Sequence, residues 1–103
     1  MNLYLMDDYE KVVEMALTVM TEARDISEAL EAEILYKDID IAEANRECDK
    51  ADKSGNPHYM EKTRVELDRL NHIQKKYKNA KNITDEIYNL LWLRVLPEID
   101  FEI

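Results

Sequence analysis

The chain has 103 residues, 46% hydrophobic and 36% charged, and 23 acidic residues against 14 Lys and Arg leave a formal net charge of -9. One domain at most fits that length, and the composition is too apolar for a disordered chain and too acidic for general affinity to nucleic acid or an anionic membrane surface. Cys48 is the single cysteine, so no intrachain disulfide can form and a reducing compartment is the default.

At the amino terminus MNLYLMDDYE lacks the basic region of a signal peptide, and no apolar run approaches the roughly 20 residues of a membrane span. A cytoplasmic location follows as the expectation. Ala, Leu, Met, Glu and Lys are abundant, and all favour helices. The first helix is expected over about residues 7–53, with Asp7 and Glu10 forming a capping box at its start. One seam line is Val13, Met20, Ser27, Ile34, Ile41 and Cys48. The other is Ala16, Ala23, Leu30, Lys37, Ala44 and Ala51, preceded by Tyr9. This heptad phase holds for about six heptads, with Ser27 and Lys37 alone out of character. Asp25 and Glu28 repeat the capping pattern, which leaves a break near Asp25 as a rival reading.

The stretch SGNP holds the chain's one glycine and one of its two prolines. Gly55 can close a helix in the left-handed conformation, Asn56 can cap the next one, and Pro57 fits a first helical turn where its missing N–H costs nothing. A turn at 54–56 therefore predicts two antiparallel neighbouring helices.

The second helix is expected over about residues 57–96, carrying Thr63, Leu67, Leu70, Ile73, Tyr77, Ala80, Thr84, Ile87 and Leu91 on one stripe and ending before Pro97. The asparagines and acids of NAKNITDE leave a hinge near 79–84 as an alternative. In the tail 97–103, Ile99, Phe101 and Ile103 alternate with acids, as in a strand or a docked extended segment that pairs with MNLYLM.

The expected fold is all-α: a long, coiled-coil-like antiparallel helical hairpin. Two helices shield only one stripe of each other. Val12, Leu17, Val19 and Ile26 in the first arm, and Leu90, Trp92, Leu93 and Val95 in the second, still need cover. They either fold over one another or form the seam of a homodimer, a four-helix bundle.

Catalytic and metal chemistry finds little footing. His58 and His72 are too far apart to share an ion within one helix, and no Glu-x-x-His pair exists. Asp38, Asp40 and Glu43 lack the spacing of a calcium loop. The pairs Glu28/Glu31 and Asp49/Asp52 are superficially like those of all-α pyrophosphatases, without that family's ordered glutamate pattern. Cys48 falls on the seam and reads as a small apolar residue. No catalytic residue, metal or cofactor is assigned.

Two surfaces remain as candidates. Lys75, Lys76 and Lys78, with Lys81 further on, surround Tyr77 without an intervening acid and could hold a small anionic nucleotide by charge and stacking. They can equally pair across the hairpin with Glu28, Glu31 and Glu33. The interface candidates are Trp92, Tyr88 and Arg94, together with Asp38, Asp40, Glu43 and Glu47 from a span, Glu22 to Asp52, that holds eleven acids against Arg24, Lys37, Arg46 and Lys50.

The expected function is therefore non-enzymatic: an acidic helical homo-oligomer that binds and modulates or inhibits a protein partner. In composition it looks like the accessory and inhibitor proteins of bacteriophages and other mobile elements. Three alternatives are an oligomer sequestering a small anionic nucleotide, a nucleic-acid-mimicking inhibitor of an enzyme, and a structural scaffolding coiled coil. Direct nucleic-acid or membrane binding is not expected.

Overall fold

A computed structural model describes residues 8 to 99, and every element in them is helical. The expected Asp7 cap, and the pairing of MNLYLM with Phe101 and Ile103, lie outside the described residues. Helix α1 spans Asp8–Ser54, and α2 spans Pro57–Leu90. A π-helical turn, Leu91–Val95, continues α2 and leads into the short α3, Leu96–Glu98.

Neither alternative break occurs. Helix α1 passes Asp25 and α2 passes 79–84 without interruption, because no Gly or Pro stands at either place and the apolar period continues through both. The reversal between α1 and α2 follows local chemistry closely. Gly55 has φ +68, the left-handed conformation that ends a helix without a Cβ penalty. Asn56 Oδ1 then accepts from the backbone N–H of His58 at 3.0 Å and of Tyr59 at 3.3 Å, satisfying two of the orphan donors at the start of α2. Behind the turn, Ser54 Oγ donates to the Ala51 carbonyl at 2.6 Å and accepts from the Asn56 N–H at 3.2 Å. The two long helices thus form a hairpin.

The carboxyl-terminal part differs from the expectation. Helical geometry runs past Pro97 to Glu98 instead of stopping before it. Proline at this position removes the bond to the Leu93 carbonyl and crowds it. A wider turn relieves the crowding: the Leu96 N–H reaches back five residues to the Leu91 carbonyl, and the Ile99 N–H then bonds Val95 at 3.2 Å.

By internal contacts the chain divides into two compact units. A terminal unit joins Met1–Glu28 with Lys81–Ile103, and a turn unit is Ala29–Ala80. In the terminal unit Ala16 and Met20 of α1 and the fully buried Leu96 form a core, against which Leu17, Tyr88, Leu91, Trp92 and Ile99 pack. Ala23 and Ser27 continue its seam. In the turn unit the buried residues are Ala44, Ala51, Leu70 and Gln74, with Leu30, Ile34, Ile41, Cys48, Leu67, Ile73 and Tyr77 half-buried around them.

Every residue of the two expected seam lines on α1 is buried or half-buried, and Tyr9 alone stays half-exposed. The fully buried positions on α1 are mostly alanines, so the helices approach closely but little apolar volume is enclosed. Many larger apolar side chains are left outside.

Candidate interaction surfaces

The two out-of-character seam residues each have a polar solution. In the terminal unit Ser27 Oγ donates to Asp85 at 2.5 Å, and Lys81 Nζ donates to the other oxygen of the same carboxylate at 2.9 Å. These two bonds hold the Asp85 carboxyl below its ordinary range, the Ser27 bond more than the Lys81 one. In the turn unit Lys37 lays its stem along the seam and reaches Asp40 at 3.5 Å.

Gln74 is a buried polar residue that periodicity alone did not reveal. Its amide donates to the Ile34 carbonyl at 3.3 Å and to Asp38. No buried side-chain nitrogen or oxygen among the described residues lacks a partner. These polar contacts fix the register of α2 against α1 inside each unit, since a slip would strand a buried amide or hydroxyl.

The four acidic interface candidates separate. Asp40, Glu43 and Glu47 line one groove of the turn unit together with Lys37, Glu66 and Arg69, whereas Asp38 is engaged with Gln74. Tyr59 Oη donates to Glu47 at 2.8 Å, and Lys50 reaches its other oxygen at 3.3 Å. The Tyr59 bond, then Lys50, lowers the Glu47 pKa, and the same Tyr59–Glu47 bond raises that of Tyr59. Arg69 grips Glu66 through Nε at 2.9 Å and Nη2 at 2.5 Å, a two-pronged bond that lowers the carboxyl and raises the guanidinium.

Of the aromatic candidates, Tyr88 and Trp92 are half-buried against the terminal core, while Arg94 is exposed. Lys75, Lys76 and Lys78 are exposed and Tyr77 is half-buried on the seam. Lys75 and Lys78, three apart, border one face of the helix, whereas Lys76 points to another, so the three ammonium groups do not all converge on one anion. Among the described residues none of the three forms an ion pair. Cys48 is a free, half-buried thiol.

What the seam leaves uncovered is more informative. In the terminal unit Val12, Met15, Val19 and Ile26 of α1, and Ile83, Ile87, Leu90 and Leu93 of α2 and its continuation, are all 40% or more exposed. Val12, Val19 and Ile26 each stand one residue before the seam line of Val13, Met20 and Ser27. Ile87, expected on the α2 stripe, is exposed and stands one before Tyr88, which packs against the terminal core in its place. In an antiparallel pair, the positions just before the seam on both helices border the same flank. Met15, Ile83 and Leu90 widen that flank outward, and the result is an apolar face on one side of the terminal unit.

Continued along α1 into the turn unit, the row reads Glu33, Asp40 and Glu47. The change from valine and isoleucine to carboxylates was legible in the sequence, but only by asking what lies beside the seam.

Among the described residues no helix is long and apolar enough to cross a membrane, and no group of three or more His, Cys, Asp or Glu could hold a metal ion. The chain matches no protein-family model, and comparison with curated proteins and with solved structures gives no match.

Proposed function

We propose that this chain is a non-enzymatic interaction protein: a helical hairpin that self-associates through the apolar flank of its terminal unit, completing a four-helix bundle, and binds a protein partner whose activity it modulates. The observation that carries this reading is the exposed row Val12, Met15, Val19 and Ile26 beside Ile83, Ile87 and Leu90. Single exposed aliphatic residues are ordinary, but a contiguous flank of seven is the signature of an interface.

The magnitudes favour association. Covering each of these half-exposed side chains gains on the order of 1 kcal/mol at about 25 cal/mol per Å². For two copies the gross gain is on the order of 15 kcal/mol, against about 4–15 kcal/mol for lost translational and rotational freedom. A two-fold dimer also brings the same flank of each copy together, which an apolar row permits and a charged row opposes.

Light scattering across a micromolar concentration series tests the reading. The chain is expected at twice its 12.2 kDa mass, and the double substitution Val19→Asp with Ile87→Asp is expected to return it to the monomer mass with its helical circular dichroism intact. A wild-type chain that stays monomeric at high micromolar concentration would rule the dimer out.

A further inference from the structure

The turn unit has an uncovered face of a second kind. On α1, Ala29, Ala32, Leu35, Tyr36, Ile39 and Ala42 recur mostly at steps of three and four, and all six are exposed. Leu35, Tyr36 and Ile39 are the largest of them, at 59%, 62% and 62% exposure. The stripe lies on the side of α1 opposite the seam residues Ile34, Lys37, Ile41 and Ala44. Helix α2 packs along that seam, with Gln74 bonded to Ile34 and Asp38 and with Leu70 buried, so it cannot reach the outer stripe.

The surroundings of the stripe select its occupant. Helical spacing puts Glu31 and Asp38 along one edge and Glu33 and Asp40 along the other, with Glu43 at the carboxyl-terminal end. Lys37 is the only base between Glu31 and Glu43, and it faces the seam side and is engaged with Asp40. A second copy laid on this face would set carboxylates against carboxylates along both edges. A helix with an apolar stripe bordered by lysine or arginine would instead find an apolar ridge and a complementary charge on each side.

We infer that the outer face of α1 from Ala29 to Ala42 is a docking ridge for a cationic amphipathic helix of a partner protein, which lies along it as a third helix with its apolar stripe on Leu35, Tyr36 and Ile39. The inference rests on the proposed role as an interaction protein, but not on self-association, which uses the terminal unit.

The test uses the full chain and three synthetic helical peptides. One has a leucine stripe at three- and four-residue steps bordered by lysines, the second has the same composition scrambled, and the third has glutamate in place of lysine. Fluorescence anisotropy is expected to show binding of the first peptide alone, weakening at least tenfold between low and high salt. Leu35→Ser with Ile39→Ser, and separately Glu31→Lys with Glu33→Lys, are each expected to weaken it at least tenfold while helical circular dichroism stays unchanged.

Equal binding of the scrambled or glutamate peptide, no binding of the lysine peptide, or indifference to Leu35→Ser with Ile39→Ser would overturn the assignment. A fall in oligomer mass caused by that same double substitution would also overturn it, because the occupant would then be a second copy. A monomeric wild-type chain that still binds the lysine peptide would retain the ridge while rejecting the proposed dimer.

Discussion

One row along α1 has two characters. In the terminal unit it is Val12, Val19 and Ile26, and in the turn unit it is Glu33, Asp40 and Glu47. Both stretches border the same seam, and the seam residues beside them are covered alike. The hairpin therefore does not need the row to be apolar; Glu47 satisfies it with a tyrosine hydroxyl and a lysine, and Asp40 with Lys37. Valines and an isoleucine in an equivalent setting serve something other than pairing α1 with α2. The contrast separates what folds each unit from what each unit offers to a partner.

The largest expected effect comes from breaking one unit's core and watching the other. Leu96 is fully buried in the terminal core, and Leu96→Ala should cost about 3 kcal/mol, the cavity and transfer terms together. Hydrogen exchange is expected to rise most in peptides from Val13 to Glu28 and in those after Lys81, with peptides of Ala29–Ala80 less affected. Equal loss of protection throughout would mean that the two units do not differ in local stability.

A second experiment extends the contrast instead of breaking it. Replacing Glu33 and Asp40 with valine lengthens the apolar row, and association is expected to tighten about tenfold, about 1.4 kcal/mol, as read by sedimentation. No change in the association constant would mean that the turn-unit part of this row lies outside the proposed dimer seam.

The reversal between the helices gives a smaller effect. At Gly55 an added Cβ would meet nothing within 4 Å, so Gly55→Ala carries only the backbone strain of φ +68, roughly 1 kcal/mol. Denaturant unfolding measures it, and a loss well above that would place an unseen contact at the turn.

The smallest effects are those of pH, and those of Asp85 and Tyr59 are opposite in sign. Asp85 has a folded pKa below its unfolded one, so its contribution in the terminal unit is present above the ordinary carboxylate range and is lost as pH falls through the folded value. Tyr59 in the turn unit has a raised pKa, so its contribution is complete below about pH 10 and is lost as pH rises through the folded value. Asp85→Asn should flatten the acid side of a stability profile, and Tyr59→Phe the alkaline side. If Tyr59→Phe leaves the alkaline side unchanged, the Tyr59–Glu47 bond contributes nothing measurable.

Much of the fold was legible beforehand. The two seam lines, the SGNP reversal and the continuity of both helices follow from period, capping and the scarcity of breakers. Ser27 and Lys37 were visible as irregularities, but their partners were not. Asp85 meets Ser27 only when a particular register of α2 is chosen, and Asp40 is one of several acids within reach of Lys37. Gln74 escaped because a polar residue one step from Ile73 does not disturb an apolar stripe. Pro97 was read as a terminator, yet a π turn upstream absorbs it, and such a turn leaves no residue signature of its own.

By itself the sequence determined a pair of antiparallel helices and where they turn, since those depend on local propensity and on a period that neighbouring residues share. Period alone places Val12, Val19, Ile26, Leu90 and Leu93 off the seam; tertiary structure decided that these stay uncovered while Leu17 and Trp92, equally off the seam, pack against the terminal core. Val12, Val19, Leu35 and Ile39 are as hydrophobic as the seam residues beside them. Their exposure depends on how far a second helix reaches around the first, and a pair of helices closing over small alanines covers only one narrow side of each.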